Sequence, residues 1–161
     1  YGEFFGKINA LMDDDGIALI HSIGHMSPPG TASPWMRKYI FPGAYSPALS
    51  EVFHVVEQNS LWVTDLEFLR LHYAETLAHW VKRFEANRAE IEALYDEKFA
   101  RMWEFYLVSA EMMFRTGSQL VFHMQLARKR DAAPIVRDYI TDIQRDYKQQ
   151  ETETPLVVPP V

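Results

Sequence analysis

Cysteine is absent from the 161 residues, which excludes a disulfide framework, a thiolate zinc site, an iron–sulfur cluster and a cysteine nucleophile within the chain. Redox chemistry would therefore need a cofactor. The 7 glycines nowhere form a GxGxxG or Walker-type loop, so these residues carry no glycine cradle for a dinucleotide or a triphosphate. No apolar run approaches the ~20 residues that span a bilayer, and no charged segment leads into a short apolar one, which predicts a soluble, cytoplasmic protein. Positive charge is in deficit. Lys+Arg number 16 against 22 Asp+Glu, giving a net charge of -6 and a pI near 5.5, so no global attraction draws nucleic acid, although a local basic patch can still hold an anion. What is present is ordinary globular material. With 48% hydrophobic and 24% charged residues, the chain suits one compact domain burying roughly 70% of its unfolded surface.

Phe4, Phe5, Ile8, Leu11 and Met12 recur at threes and fours, predicting a helix that Asp13-Asp14-Asp15-Gly16 ends. Ile17 to Gly24 then runs without polar alternation, the pattern of a parallel strand covered on both faces, and such a strand wants neighbours on both sides. The chain, which opens on Tyr1, is accordingly read as the C-terminal part of a longer α/β protein. Met26 to Pro47 holds five prolines and predicts a long ordered loop with a short helix near Trp35–Ile40. Ala48–Gln58 reads as a helix and Leu61–Leu69 as a strand. Two long helices are expected over Tyr73–Asn87 and Lys98–Arg115, the second closed by Gly117. Gln119–Ala127 alternates Leu120, Phe122, Met124 and Leu126 against Val121, His123 and Gln125, which predicts a half-buried antiparallel strand at or near the sheet edge. Asp131–Gln150 is polar with a thin apolar stripe, and Glu151–Val161 is expected to be a loose acidic tail.

His21 stands near the carboxyl end of its strand, where open α/β sheets place ligands; alone, it reads as a buried imidazole bonded to a backbone carbonyl. The spacing from His21 to His25 imitates a helical zinc pair, but a strand leaving into a loop does not put both rings on one face, so a metal is rejected. Tyr73 follows the second strand's carboxyl end and is expected on the same rim, its plain alternative being an aromatic packed at a helix start. His72, His79 and His123 are assigned no role. The Lys98–Arg115 helix is apolar nearly all round, which suits either core or the wall of a hydrophobic channel. Glu104 and Glu111, with Arg101 and Arg115 near by, read as a solvated ion-pair face. Lys82, Arg83, Arg88, Arg128, Lys129 and Arg130 are able to meet phosphate head groups, with solvated surface as the alternative.

Four segments in order, Leu19–Gly24, Trp35–Pro42, Leu69–Leu77 with Trp80, and Arg101–Leu107, resemble the C-terminal half of the cyclopropane-fatty-acyl-phospholipid synthases, S-adenosylmethionine-dependent enzymes related to the mycolic acid cyclopropane synthases. The resemblance covers roughly residues 1–129. It implies an α/β fold, the C-terminal part of a class I (Rossmann-like) methyltransferase sheet with inserted helices over a lipid site. Residues 1–130 would be the catalytic-domain half and 131–161 a terminal helix and tail. The implied activity passes the methyl of S-adenosylmethionine to a cis double bond of a phospholipid acyl chain, forming a carbocation that loses a proton and closes to a ring. By the same resemblance, a bicarbonate ion takes that proton, held by His21, the Ile23 backbone and Tyr73. Tyr39, Phe41, Trp103, Tyr106 and Phe114 are expected to line the substrate channel.

A forming carbocation requires a dry cavity, aromatic faces and a positioned anion, and these residue types supply them. The family's glycine-rich cofactor motif is not among these residues, so residues 1–161 alone are expected neither to bind S-adenosylmethionine well nor to turn over. Phospholipid acyl chains and peripheral contact with the inner membrane face are the expected partners, and the apolar strand Ile17–Ile23 invites pairing with a second copy. Two other readings remain open at this point: a sibling methyltransferase making branched acyl chains or methylating another small acceptor, and a noncatalytic lipid- or partner-binding module.

Overall fold

A computed structural model describes residues 1–153, among which lie seven helices and three strands. Strands β1 (Ile17–His25), β2 (Trp62–Leu69) and β3 (Gln119–Ala127) form one sheet in the order β1-β3-β2, with β3 antiparallel to both neighbours. It follows that β1 and β2 run parallel to each other on either side of β3, and their carboxyl ends emerge at the same edge of the sheet.

Two expectations are corrected by this order. β1 is not bracketed by parallel strands: it pairs antiparallel with β3 from Ile17↔Ala127 to His25↔Gln119, and its one parallel contact among the described residues is the isolated bridge His25↔Ala48. The apolar run is consequently half exposed, with Leu19 at 63%. β3 is central rather than marginal. Its alternation arises because Leu120, Phe122, Met124 and Leu126 enter a core while His123 and Gln125 lie on a face that helices cover only at its ends.

One sheet face packs on α1 (Gly2–Leu11) and α3 (Leu49–Gln58), where Phe5, Leu49, Val52 and Val56 meet Phe122, Met124 and Leu126. The other face is capped at its β1/β2 carboxyl end by α4 (His72–Ala86) and α6 (Glu97–Thr116), whose Leu77, Leu107, Ala110 and Phe114 close over Val121. Leu77 is fully buried, worth about 1.5–3 kcal/mol relative to exposure. The short α5 (Arg88–Leu94) joins them and was not legible as a separate element. Helix α2 (Pro34–Tyr39) forms in the proline-rich loop because Pro34 suits a first turn and Ser33 Oγ accepts from the Met36 N–H at 3.2 Å. Helix α7 (Asp138–Glu153) continues three residues into the stretch expected to be loose; residues 154–161 of that stretch lie outside the described residues.

A β-bulge between Val63 and Asp65 shifts the register of β2. Without it, strict alternation from Trp62 would turn Thr64, Leu66 and Phe68 to the α4/α6 face. The extra residue instead places Asp65 opposite Gln125 and Glu67 opposite His123, so two carboxylates join that face.

Candidate functional site

A cavity of about 500 Å³ opens at the carboxyl ends of β1 and β2, lined by His21, Ile23, Phe41, Tyr73, Tyr106 and Phe114 among others. Six residues singled out from the sequence therefore meet in one place. β1 supplies His21 and Ile23, the turn after β2 leads into Tyr73 at the start of α4, and α6 presents Tyr106 and Phe114 from its inward stripe. Phe41 reaches the same wall from the loop after α2, edge-on to Tyr106 at 5.6 Å between ring centroids. Tyr73 packs between Trp80 at 5.9 Å and Phe114 at 4.9 Å, while its hydroxyl makes no hydrogen bond among the described residues and is free to donate into the cavity. Burial, with Tyr73 as a lesser cause, pushes the Tyr106 phenol above its ordinary value, so that it stays a neutral donor.

Two expected channel residues lie elsewhere. Tyr39 sits in a separate groove with Trp35, Phe99 and Met102, half exposed. Trp103 points toward α4 and shares a cleft with Trp80, Phe84 and Leu107, an interhelix packing position.

The opposite rim is built by Tyr45, whose hydroxyl donates to both Glu51 carboxylate oxygens at 2.7 Å. That bond pushes the Tyr45 phenol up to about 12 and, together with the Ala48 N–H, holds the Glu51 carboxyl below the ordinary range. Gly24 lies on the opposite face of β1, where a Cβ would lie 3.0 Å from the Phe122 ring and 3.1 Å from the Pro47 carbonyl oxygen, so a side chain there would crowd the α1/α3 core.

His21 is not the isolated buried imidazole of the plain reading. It is exposed, and its Nδ1 lies 2.7 Å from Nε2 of His123, a residue assigned no role from sequence. His123 Nδ1 faces Glu67 Oε2 at 3.6 Å, and Arg137 Nε meets Asp65 Oδ2 at 2.6 Å beyond it. The cross-strand pairing of His21 with His123 was hidden because the strand order cannot be read from either strand alone. His25 also differs from expectation. β1 continues through it, so both imidazoles leave the same sheet face, but four residues of strand separate them by about 13 Å, and the His25 ring bonds Ser27. No metal-holding group of side chains occurs among the described residues.

Glu104 and Glu111 of α6 are engaged in ion pairs, with Arg88 and Arg115 respectively, both at 2.7 Å. Arg128 and Lys129 pair with Asp14 and Asp15, so those cations do not make the open basic patch the sequence suggested. A different cationic surface exists. Trp35 of α2 stands edge-on to Phe105 of α6 at 4.8 Å; around them Lys38, Lys98 and Arg101 form no ion pair among the described residues. Phe105, Val108 and Met112 are exposed there. No helix of the described residues is long and apolar enough to cross a membrane.

Residues 1–124 match the family model described as mycolic acid cyclopropane synthetase. The chain is 42% identical over 97 residues to tuberculostearic acid methyltransferase of Mycobacterium tuberculosis, covering 59% of this chain and 23% of that protein. It is 31% identical over 128 residues to cyclopropane-fatty-acyl-phospholipid synthase of Escherichia coli, covering 80% and 33%. Among solved structures, the mycolic acid cyclopropane synthase CmaA1 complexed with SAH and CTAB superposes with a TM-score of 0.71 at 28% identity, over 78% of this chain and 49% of that one. The chain thus spans about a quarter to a third of these two curated relatives. The fold is the C-terminal part of a Rossmann-like methyltransferase sheet, here its three antiparallel-linked strands. Neither the sequence nor the turns after β1 and β2 provide a glycine-rich cradle for a nucleoside. A small anion is better matched: a free tyrosine hydroxyl and an imidazole face one cavity.

Proposed function

This chain belongs to the mycolic acid cyclopropane synthetase family, and from that premise we propose that it is the lipid-facing part of an enzyme that cyclopropanates cis double bonds in phospholipid acyl chains. The observation that supports this reading most is the convergence of His21, Ile23 and Tyr73 on one cavity walled by Phe41, Tyr106 and Phe114. S-adenosylmethionine, which finds no cradle in these residues, supplies the one-carbon unit in the complete enzyme. A bicarbonate ion between His21 and Tyr73 would supply a base beside the reacting carbons.

The chain's own residues do the following. Phe41, Tyr106 and Phe114 exclude water and present aromatic faces, which stabilise a cation whose hydration shell has been removed. Tyr73 would hold such an anion by donating its hydroxyl in a hydrogen bond, a donor already in place that needs no solvent reorganisation at the moment of reaction. The Tyr45–Glu51 pair keeps Tyr45 protonated, so the rim adds no competing phenolate. Residues 1–161 alone are proposed to be inactive, because positioning a base accomplishes nothing without the donor.

Access to acyl chains in a bilayer would come through the α2/α6 surface. Exposed Phe105, Val108 and Met112 suit an acyl–headgroup boundary, and Lys38, Lys98 and Arg101 suit anionic head groups on the cytoplasmic face of a membrane. The direct test is mass spectrometry of lipids from cells expressing the complete protein, alongside Tyr73→Phe. Acyl chains one CH2 heavier and resistant to hydrogenation are expected with the natural residue, at least tenfold depleted in the variant. A heavier chain that is branched would instead establish the sibling methyltransferase, and unchanged lipids would contradict both.

A further inference from the structure

A second cavity, of about 280 Å³, adjoins the one that holds His21 and Tyr73, and the proposed reaction as described gives it no task. Its wall carries polar groups but no strong charge. His25, Ser27, Thr31, Ser46, Ser118 and Gln119 contribute side-chain oxygens and nitrogens, and no lysine, arginine, aspartate or glutamate lines it. Some of these groups engage one another: Ser27 Oγ lies 2.8 Å from Nδ1 of the buried His25, and Ser118 Oγ donates to Ser27 Oγ at 3.2 Å. The hydroxyls of Thr31 and Ser46 and the side-chain amide of Gln119 make no hydrogen bond among the described residues. Ser46 and Gln119 line both cavities, as do Met36 and Met113, so the junction holds two unengaged donors between flexible thioether side chains.

Register fixes how far this junction stands from the middle of β1. Gln119 pairs with His25 and His123 with His21, so four residues of strand, about 13 Å, separate the two levels. An acyl chain extended along β1 with a mid-chain double bond beside His21 would bring its ester to Ser46 and Gln119. The chemistry of the wall selects that part of a lipid. A phosphate or a free carboxylate would exchange water for a wall with no lysine or arginine to balance its charge. An ester carbonyl is neutral and is satisfied by hydroxyl and amide donors. Helix α2 sends Met36 into both cavities while Trp35 and Tyr39 line the outer groove, an arrangement that suits a chain inside and a head group outside. We propose that the second cavity is an ester subsite, in which Ser46 and Gln119 donate to the carbonyl oxygen of the reacting acyl chain and the wall around His25, Ser27 and Thr31 receives the adjoining glycerol. The junction thereby sets which double-bond position reaches His21 and Tyr73. The proposal rests on the methyl-transfer reading of the neighbouring cavity and deepens it; no bond forms or breaks in the subsite itself.

The test uses the complete protein with S-adenosylmethionine and vesicles of three synthetic phospholipids. The first has ester-linked chains with a mid-chain cis double bond, the second has that double bond moved toward the methyl end, and the third keeps the mid-chain bond but replaces the ester by an ether, which lacks the carbonyl. The natural protein is expected to use the first over the third by about tenfold in kcat/KM, the factor that two hydrogen bonds to a neutral group supply, and to prefer the first over the second. Combining Ser46→Ala with Gln119→Leu is expected to cost about tenfold on the ester lipid and nothing further on the ether lipid, and to narrow the preference for the mid-chain position. Equal use of ester and ether lipids by the natural protein overturns the proposal. So does a variant that loses the same factor on both, since that is the mark of a merely structural role. Should the double variant fail to fold, the ester–ether comparison in the natural protein decides. A natural protein that forms neither ring nor branch on any of these lipids refutes the methyl-transfer reading and the subsite with it, whereas an active protein indifferent to the ester refutes the subsite alone.

Discussion

At the scale of single residues, the cavity depends on side chains that each satisfy a second partner. Glu51 accepts from the Tyr45 hydroxyl and from the Ala48 N–H at 2.9 Å, so one carboxylate fixes both the cavity rim and the first turn of α3. Its carboxyl is held below the ordinary range, first by Tyr45 and then by that backbone donor. A depressed folded-state value means that this stabilisation is present above the unfolded carboxylate pKa and disappears as pH falls through the folded one. Glu51→Gln is therefore expected to lower the melting temperature at pH 7 and to differ less from the natural protein near pH 3, measured by thermal denaturation at both values. An equal deficit at both would place the loss in packing. At this scale the sequence was partly legible. The roles of His21 and Tyr73 came from the resemblance rather than from the strand pattern, which alone read them as a structural imidazole and a packed aromatic; the structure puts both on one cavity, with His21 in the middle of β1. His123 was not legible, since its partner on the neighbouring strand is 102 positions away, and no local pattern encodes that pairing.

At the scale of elements, α6 supports both the core and the site. Ala100, Leu107, Ala110 and Phe114 are buried at spacings of three, four and seven, while Phe105, Val108 and Met112 face outward. The sequence showed an apolar helix but not which apolar face was free, because periodicity alone gives no account of what covers a stripe. Helix α6 starts where Asp96 Oδ1 accepts from the Phe99 N–H at 2.6 Å, a capping contact reinforced by the helix dipole. Asp96→Ala is expected to destabilise the protein by about 1 kcal/mol, and chemical denaturation that shows no shift in midpoint would argue against that contact. The bulge in β2 is the least legible element. Thr64 bonds Gln125 there, accepting from its side-chain amide at 2.9 Å, and nothing in Trp62–Leu69 marks one residue as extra. Sequence alternation read straight through would have put Glu67 on the wrong face.

At the scale of the whole molecule, three strands joined antiparallel place the cavity rim at one end and the α2/α6 surface beside it. The net charge of -6 opposes binding to an anionic surface, so any attraction must come from local cations rather than from the whole. Lys38, Lys98 and Arg101 are three such groups, and near a charged bilayer each contributes about 1 kcal/mol. Their joint replacement by Glu is expected to weaken binding to vesicles rich in anionic phospholipid by on the order of 100-fold or more, with less effect at high salt; vesicle flotation measures both. Unchanged flotation would remove this surface from the account. The overall fold was legible as an α/β methyltransferase part through four short segments in order, while the central position of β3 was not, because an alternating strand looks the same at an edge as in the middle when one sheet face is uncovered.

The central claim is that the cavity around His21 and Tyr73 carries out methyl transfer to unsaturated acyl chains. The most direct measurement is lipid mass spectrometry on cells expressing the complete protein and its His21→Ala variant at matched levels. Hydrogenation-resistant acyl chains one CH2 heavier, present with His21 and lost with alanine, are the predicted result. The same heavier chains at undiminished yield in the variant would contradict the assignment of this cavity as the reaction site.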